Sequence, residues 1–195
     1  LMDFQKVDIG KERLTLTMVD LVKLIGNRIM MFDSYAKTKN IELKFKSDLS
    51  EFVTAVDEVM IEKVIDNLLS NAIKYSYADV SVHINFQVQG NKWVLDVQDI
   101  GLGISKKAQR QLFNEYYRGE NAVNAKIVGS GIGLLLVKNY VNLHGGKVSC
   151  YSQQSVGSSF SISVPVMKTM DTHEPANKQN DTEPNGHVAA KVVRS

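Results

Sequence analysis

Three short stretches of this 195-residue chain hold residue types whose spacing could do chemistry. In DNLLSNAIKYS (residues 66–76), Asn67, Asn71 and Lys74 stand at i, i+4 and i+7, so a helix would carry all three on one face. Asparagine competes for backbone hydrogen bonds and is poorly suited to a helix interior, so two of them beside a lysine need a reason. A solvated stripe is the plain reading, and a polar binding face is the functional one. Asp99, in KWVLDVQDIGLGIS, shares its strand parity with Trp93, Leu95 and Val97 and so points inward at the strand end. A buried carboxylate needs a partner, because leaving it unpaired costs several kcal/mol. The alternative is a strand that stops one residue early, with Asp99 opening a turn. Gly101 and Gly103 follow at once, allowing positive φ or close approach to the backbone. In GSGIGLLLVKNYVNLHGG, Gly129, Gly131 and Gly133 lead into a helix. Free N–H groups and a positive dipole end suit phosphate, although a flexible hinge has the same composition. The P-loop, the dinucleotide fingerprint and the protein-kinase motif set are all absent.

These residues need elements to position them. Residues 19–39 predict an amphipathic helix with Leu21, Ile25, Ile29, Phe32 and Ala36 on one stripe, and residues 57–76 predict a second. IELKFKS and FVTAV are short strands between them. Residues 80–88 alternate strictly, with Val80, Val82, Ile84, Phe86 and Val88 on one side, and Gly90-Asn91 turns the chain into the return strand. A short helix over 105–113 and a longer one over 133–144, stopped at Gly145-Gly146, precede the strands KVSCYSQQ and GSSFSISVP. Residues 1–18 read as the end of one element and a connection. Helices grouped between antiparallel hairpins predict an α+β fold with helices on one face of a sheet.

Composition narrows the function. The 23 basic and 21 acidic residues nearly balance at a net +2, which argues against a general nucleic-acid binder. A single cysteine, Cys150, excludes an internal disulfide framework and suits a reducing compartment, and it reads as a small strand residue. No apolar run reaches the roughly 18 residues of a membrane span. The chain opens on Leu1 rather than Met, with no signal peptide, and is expected to be an excerpt of a longer protein. All three prolines, Pro165, Pro175 and Pro184, lie late, and the polar stretch after Pro165 reads as a disordered linker.

The stretches occur in a telling order: N-x-x-x-N-A-x-K-Y (Asn67 to Tyr75), D-x-G-x-G-I (Asp99 to Ile104), LFNEYYRG (112–119), GSGIGL (129–134), HGG and GSSFSISVP. That succession resembles the catalytic, ATP-binding domain of bacterial sensor histidine kinases, with its N, G1, F and G2 boxes. The resemblance covers about residues 14–166, leaving 1–13 as the end of the phosphoacceptor hairpin and its linker, and 167–195 as a linker or tail. It implies the fold shared with gyrase, mismatch-repair ATPases and heat-shock chaperones: a two-layer α/β sandwich, a mixed five-stranded sheet against three main helices, with an ATP lid. Ile100 and Ile132 are mild apolar departures from the family pattern.

The resemblance also implies roles. Asn71 would give a side-chain oxygen to the Mg²⁺ bridging the phosphates of ATP, with Asn67 one turn away and Lys74 meeting phosphate. Tyr75 would lie against the adenine, whose amino group Asp99 would accept. Gly101 and Gly103 would let the base approach the backbone, with Ile104 beside it. Arg118 would approach the terminal phosphate. Residues 119–130 would form the lid, with Lys126 an extra phosphate contact. Gly129, Gly131 and Gly133 would wrap the phosphates, and Leu134 closes the same box. Hydrolysing relatives place a glutamate general base one turn before the Mg²⁺ asparagine. Here Asn67 stands there and cannot take a proton near neutral pH, which favours phosphoryl transfer over hydrolysis. A non-catalytic docking module on the same fold is the other class, and intact Asn71, Asp99 and Arg118 argue against it. The family's phosphoacceptor sits in a context like H-E-[LI]-[KR]-T-P. None of His83, His144, His173 and His187 does, so the acceptor is expected in a separate dimerisation domain of the same protein. A receiver domain of a response regulator is the expected downstream partner, in a hybrid kinase or a separate protein. The fragment is expected to be cytoplasmic and monomeric, without membrane contact of its own, and the parent dimeric. Anchoring of the parent in the inner membrane stays open.

Overall fold

In the computed structural model the described residues are 13–113 and 131–167. The chain order is β1 (Thr17–Asp20), α1 (Leu21–Lys37), β2 (Glu42–Ser47), β3 (Val53–Val56), α2 (Glu58–Tyr75), β4 (Ser81–Gln89), β5 (Lys92–Asp99), α3 (Lys106–Gln109), α4 (Gly133–Leu143), β6 (Lys147–Gln153) and β7 (Gly157–Pro165). Five strands form one sheet in the order β2-β4-β5-β7-β6. β2 runs parallel to β4 and the other pairs are antiparallel, so the sheet is mixed.

Both long helices start on an aspartate. The Asp20 carboxylate accepts the Val22 and Lys23 amides of α1, and the Asp57 carboxylate accepts the Met60 amide of α2. α1 buries Leu21, Ile25, Ile29 and Ala36 of its expected stripe, with Leu24 added and Phe32 only partly buried, and α2 buries the stripe its periodicity predicts. On α2 it comprises Ile61, Val64, Ile65, Leu68, Leu69, Ala72 and Ile73. The sheet meets it with the inward residues Ile84, Phe86, Trp93, Leu95, Ile162 and Val164, all at or near zero exposure. Truncating one of these, Leu68→Ala for instance, should cost about 2–5 kcal/mol. Arg28 ties α1 to α2. Its Nε donates to Asp66 at 2.8 Å, and its guanidinium also reaches Glu62 at 3.5 Å. The opposite sheet face is polar, with His83, Asn85 and Gln87 on β4.

Two elements differ from expectation. Thr17–Asp20 form a strand, antiparallel to β3 in a separate two-stranded sheet, where the sequence suggests only a connection. Four residues carry too little alternation to announce a strand, and the pairing comes from β3. The short helix expected over 105–113 is confined to Lys106–Gln109. Among the described residues, no helix is long and apolar enough to cross a membrane.

Candidate functional site

On α2, the face away from the buried stripe holds Asn67, Asn71, Lys74 and Tyr75, all half-buried. The face is partly covered by its neighbours. Asn67 donates from Nδ2 to Lys63 O at 2.7 Å. Its Oδ1 lies against the first residue of α4, so closely that a Cβ on Gly133 would come within 2.3 Å of it. Residues of the first and last boxes, remote in sequence, thus touch. α4 begins without a side-chain cap, and Gly131 before it takes φ +75. Leu134 packs, partly buried, against the core.

Eight residues further along α2, about 12 Å at helical rise, the helix ends against the loop after β5. β5 runs through Asp99, whose side chain faces inward and whose residue is 5% exposed. This decides the earlier alternative: the strand does not stop short. Asp99 Oδ1 accepts the Ser158 amide at 3.1 Å. Burial pushes its pKa up from 3.8 to about 7, opposed by the Ser158 hydrogen bonds. The neighbouring Cys150 thiol is pushed up to about 12 by burial and then by Asp99, which makes it a poor nucleophile.

The glycines of this loop carry out a task the sequence does not reveal. A Cβ on Gly101 would lie 2.0 Å from Tyr75 O, and one on Gly103 (φ +57) would lie 1.9 Å from Gln153 O. At both glycines the chain's own backbone makes a close approach. Tyr75 O accepts the Leu102 amide at 3.0 Å, and Tyr77 N donates to Ile100 O at 3.0 Å. Gly157 (φ +147) does the same on the other side, where a Cβ would stand 2.1 Å from Asp99 O.

Ser152 and Gln109, which sequence reasoning missed, complete the loop's support. Ser152 Oγ accepts the Ile104 amide at 2.8 Å and donates to Gly157 O at 2.7 Å. Gln109 Nε2 donates to Ile104 O and Ser152 O, both at 2.8 Å. A signal existed for the serines. Ser152 and Ser158 share strand parity with the inward Val148, Cys150, Phe160 and Ile162. Arg118, Lys126 and Gly129 lie outside the described residues.

Neither described histidine suits phosphoryl acceptance. His144 is 1% exposed. Its Nε2 accepts the Asp57 amide at 3.0 Å, so Nδ1 carries the proton and donates to Tyr140 O at 2.7 Å. His83 lies on the outer sheet face, across the sheet from α2.

A mixed sheet backs the helices, and one of them carries a half-buried polar face that ends near a buried carboxylate. The chain belongs to the histidine kinase-, DNA gyrase B- and HSP90-like ATPases, whose family model matches residues 56–168. The circadian input-output histidine kinase CikA of Synechococcus elongatus is 27% identical over 96% of this chain and 25% of its own length. The alginate biosynthesis sensor protein KinB of Pseudomonas aeruginosa is 31% identical over 85% of this chain and 27% of its own. The chain therefore spans about a quarter of each of these relatives. Among solved structures, the nucleotide-free catalytic domain of histidine kinase ThkA matches with TM-score 0.69 at 22% identity, covering 78% of this chain and 97% of that one. Full-length ShkA in complex with AMPPNP matches with TM-score 0.70 at 22% identity, covering 80% of this chain and 32% of that one. Likeness at that identity bears on the fold.

Proposed function

We propose that this chain is the ATP-binding catalytic domain of a bacterial sensor histidine kinase, which passes the γ-phosphoryl group of ATP to a histidine in a separate dimerisation domain of the same protein. The observation that carries the reading is Asp99. A carboxyl group 5% exposed, met on its own chain by the backbone and side chain of Ser158, still has lone pairs to offer a further donor. The exocyclic amine of adenine is such a donor. From there, the half-buried face of α2 leads past Tyr75, Lys74 and Asn71 to Asn67 and the start of α4. That run gives a base-to-phosphate direction.

Mg²⁺ fits this donor set. Among the described residues no group of three His, Cys, Asp or Glu side chains gathers, so no carboxylate cage is built. Asn71 offers one amide oxygen, and Mg²⁺ commonly takes few protein ligands and completes its octahedron with phosphate and water. When bound, the ion would neutralise phosphate charge. In this reading Lys74, Arg118 and Lys126 meet the phosphates electrostatically, Gly129, Gly131 and Gly133 border them, and Ile104 and Leu134 flank the nucleotide. Asn67 supplies no base for water, so the γ-phosphoryl group is kept for the histidine. Phosphoryl transfer rests on positioning and charge stabilisation, so the acceptor domain must dock before reaction. Residues 1–13 lead in from that domain and residues 167–195 lead out of this one. A receiver domain takes the phosphoryl group onward. We place the fragment in the cytoplasm as a monomer, within a dimeric parent.

Titration calorimetry with AMPPNP, with and without Mg²⁺, tests this on the chain and on Asp99→Asn. Mg²⁺-assisted micromolar binding that collapses in the variant supports the reading. A folded chain that binds under no condition sinks it and favours a docking module. Adding a separately made dimerisation domain with labelled ATP then tests transfer.

A further inference from the structure

A helix leaves its last carbonyls without intrahelical partners, and each must be met from elsewhere. At the end of α2 every one can be accounted for. Ala72 O accepts the Ser76 amide and Tyr75 O accepts the Leu102 amide. The remaining three, Ile73 O, Lys74 O and Ser76 O, all accept from a single atom, Lys39 Nζ, at 2.9 Å each. Three acceptors use all three N–H donors of an ammonium, so the group is in its charged form. Its charge also sits at the negative end of the helix dipole. Burial lowers the pKa of Lys39, so these carbonyls offset a real desolvation penalty.

Lys39 comes from a different part of the fold, the turn between α1 and β2. That turn is itself held in place. Asp79 N donates to Lys39 O at 3.2 Å, and Asn40 Nδ2 donates to Asp79 Oδ1 at 2.6 Å. The ammonium is therefore carried on an anchored turn and reaches across to α2. What it grips is the turn that holds Lys74 and Tyr75, whose Tyr75 carbonyl in turn seats the Gly101-Leu102 backbone.

We propose that Lys39 is a positioning residue for the nucleotide site: by gripping Ile73 O, Lys74 O and Ser76 O it fixes the last turn of α2, and with it Tyr75, Lys74 and the loop after Asp99. This rests on the nucleotide-binding reading above. Lys39 touches no substrate in it. Its effect falls on the base end of the polar face of α2 and not on the phosphate end near Asn67.

Lys39→Met keeps the aliphatic stem and removes the donors. Two measurements separate the positioning role from general stability. Hydrogen exchange should speed up at least tenfold at the Leu102 and Tyr77 amides, while amides in the middle of α2, around Leu68, keep their protection. AMPPNP binding should weaken about tenfold, whereas binding of inorganic tripolyphosphate, which has no base, should change less than twofold. Lys39→Arg provides a second variant if Lys39→Met does not fold. A planar guanidinium cannot meet three carbonyls arranged round a tetrahedral ammonium, so an intermediate loss of about threefold is expected. Wild-type AMPPNP affinity and wild-type Leu102 exchange in both variants would overturn the proposal. So would uniform loss of protection across the domain, because that marks general destabilisation. If the parent chain binds no nucleotide, the functional reading fails. The Leu102 exchange still decides whether Lys39 sets the loop.

Discussion

The two ends of the polar face of α2 are built differently. At the base end, three backbone segments cross at van der Waals distance through Gly101, Gly103 and Gly157, and Ser152, Gln109 and Ser158 tie them together. At the other end, α4 starts without a side-chain cap, and a Cβ on its first residue would meet only the Asn67 side chain. One end is shaped by the fold before any ligand arrives. The other offers polar groups and backbone whose geometry can adjust. On the proposed reading, recognition of the base would rest on shape and one carboxylate, and holding the phosphates on charge.

The sharpest way to break this comparison is Asp99→Asn. Asparagine puts an NH₂ where one of the two carboxylate oxygens stood, so with the oxygen kept on the Ser158 amide the NH₂ faces the adenine amine, donor against donor. AMPPNP affinity should fall at least about 100-fold, or some 2.7 kcal/mol. The unliganded variant should be as stable as the parent or more so, because a buried ionisable group has gone. Calorimetry and thermal melts check the two halves. A drop in both would make Asp99 a scaffold residue.

A pair of glycine substitutions contrasts the ends directly. Gly101→Ala drives a Cβ into the Tyr75 carbonyl, a backbone atom that cannot move alone, and should cost about 2–3 kcal/mol in denaturant unfolding. Gly133→Ala meets only the Asn67 side chain, and helix propensity favours the alanine by about 1 kcal/mol. Its stability should shift by less than about 1 kcal/mol while Mg²⁺-dependent binding weakens. Equal destabilisation by the two would erase the distinction drawn between them.

Much of the frame was legible in the sequence because it rests on local periodicity. The alternation of β4, the apolar stripe of α2 and the inward parity of Asp99 each follow from side-chain direction within one element. Most of the support of the base end was not legible, because its main contacts join distant segments. Lys39 lies more than 30 residues from the carbonyls it meets, and Ser152 is 48 residues from Ile104. β1 gains its strand geometry from β3, not from its own four residues. The purpose of Gly101 and Gly103 was half legible. Their spacing implied close approach, and the crossing of the α2 end and the β6–β7 turn shows that backbone approaches there.

The raised pKa of Asp99 makes the base end pH-sensitive. The folded value of about 7 stands above the ordinary 3.8, so the folded chain holds this proton more tightly than the unfolded one. Stability from this group is therefore greatest below about pH 4, declines as pH rises to about 7, and is flat above. Nucleotide affinity runs the other way, because the ionised carboxylate accepts the stronger hydrogen bond. With one molecule in about eleven ionised at pH 6, affinity should be roughly tenfold lower there than at pH 8. Asp99→Asn titrated beside the parent removes the ligand's own phosphate ionisation from the comparison. Cys150, pushed up to about 12, does not titrate in this window. Identical profiles for the two proteins would detach Asp99 from the effect.

The smallest expected effect tests whether shape at the base end is held in advance. Ser152→Ala removes one hydroxyl that the Ile104 amide, the Gly157 carbonyl and the Ser158 hydroxyl share, and leaves the Ser158 amide on Asp99 in place. Two part-buried backbone groups lose a partner, so stability should fall by about 1–2 kcal/mol. Gln109 still holds Ile104 O and Ser152 O, and these bonds need no hydroxyl. The loop should therefore keep its path, and AMPPNP affinity should weaken only about threefold. A loss as large as that of Asp99→Asn would mean that the hydroxyl, and not the crossing of glycine backbones, sets the base pocket. Unchanged affinity alongside reduced stability would assign the shape to the glycine crossings alone, and the contrast between the two ends would then rest on backbone geometry.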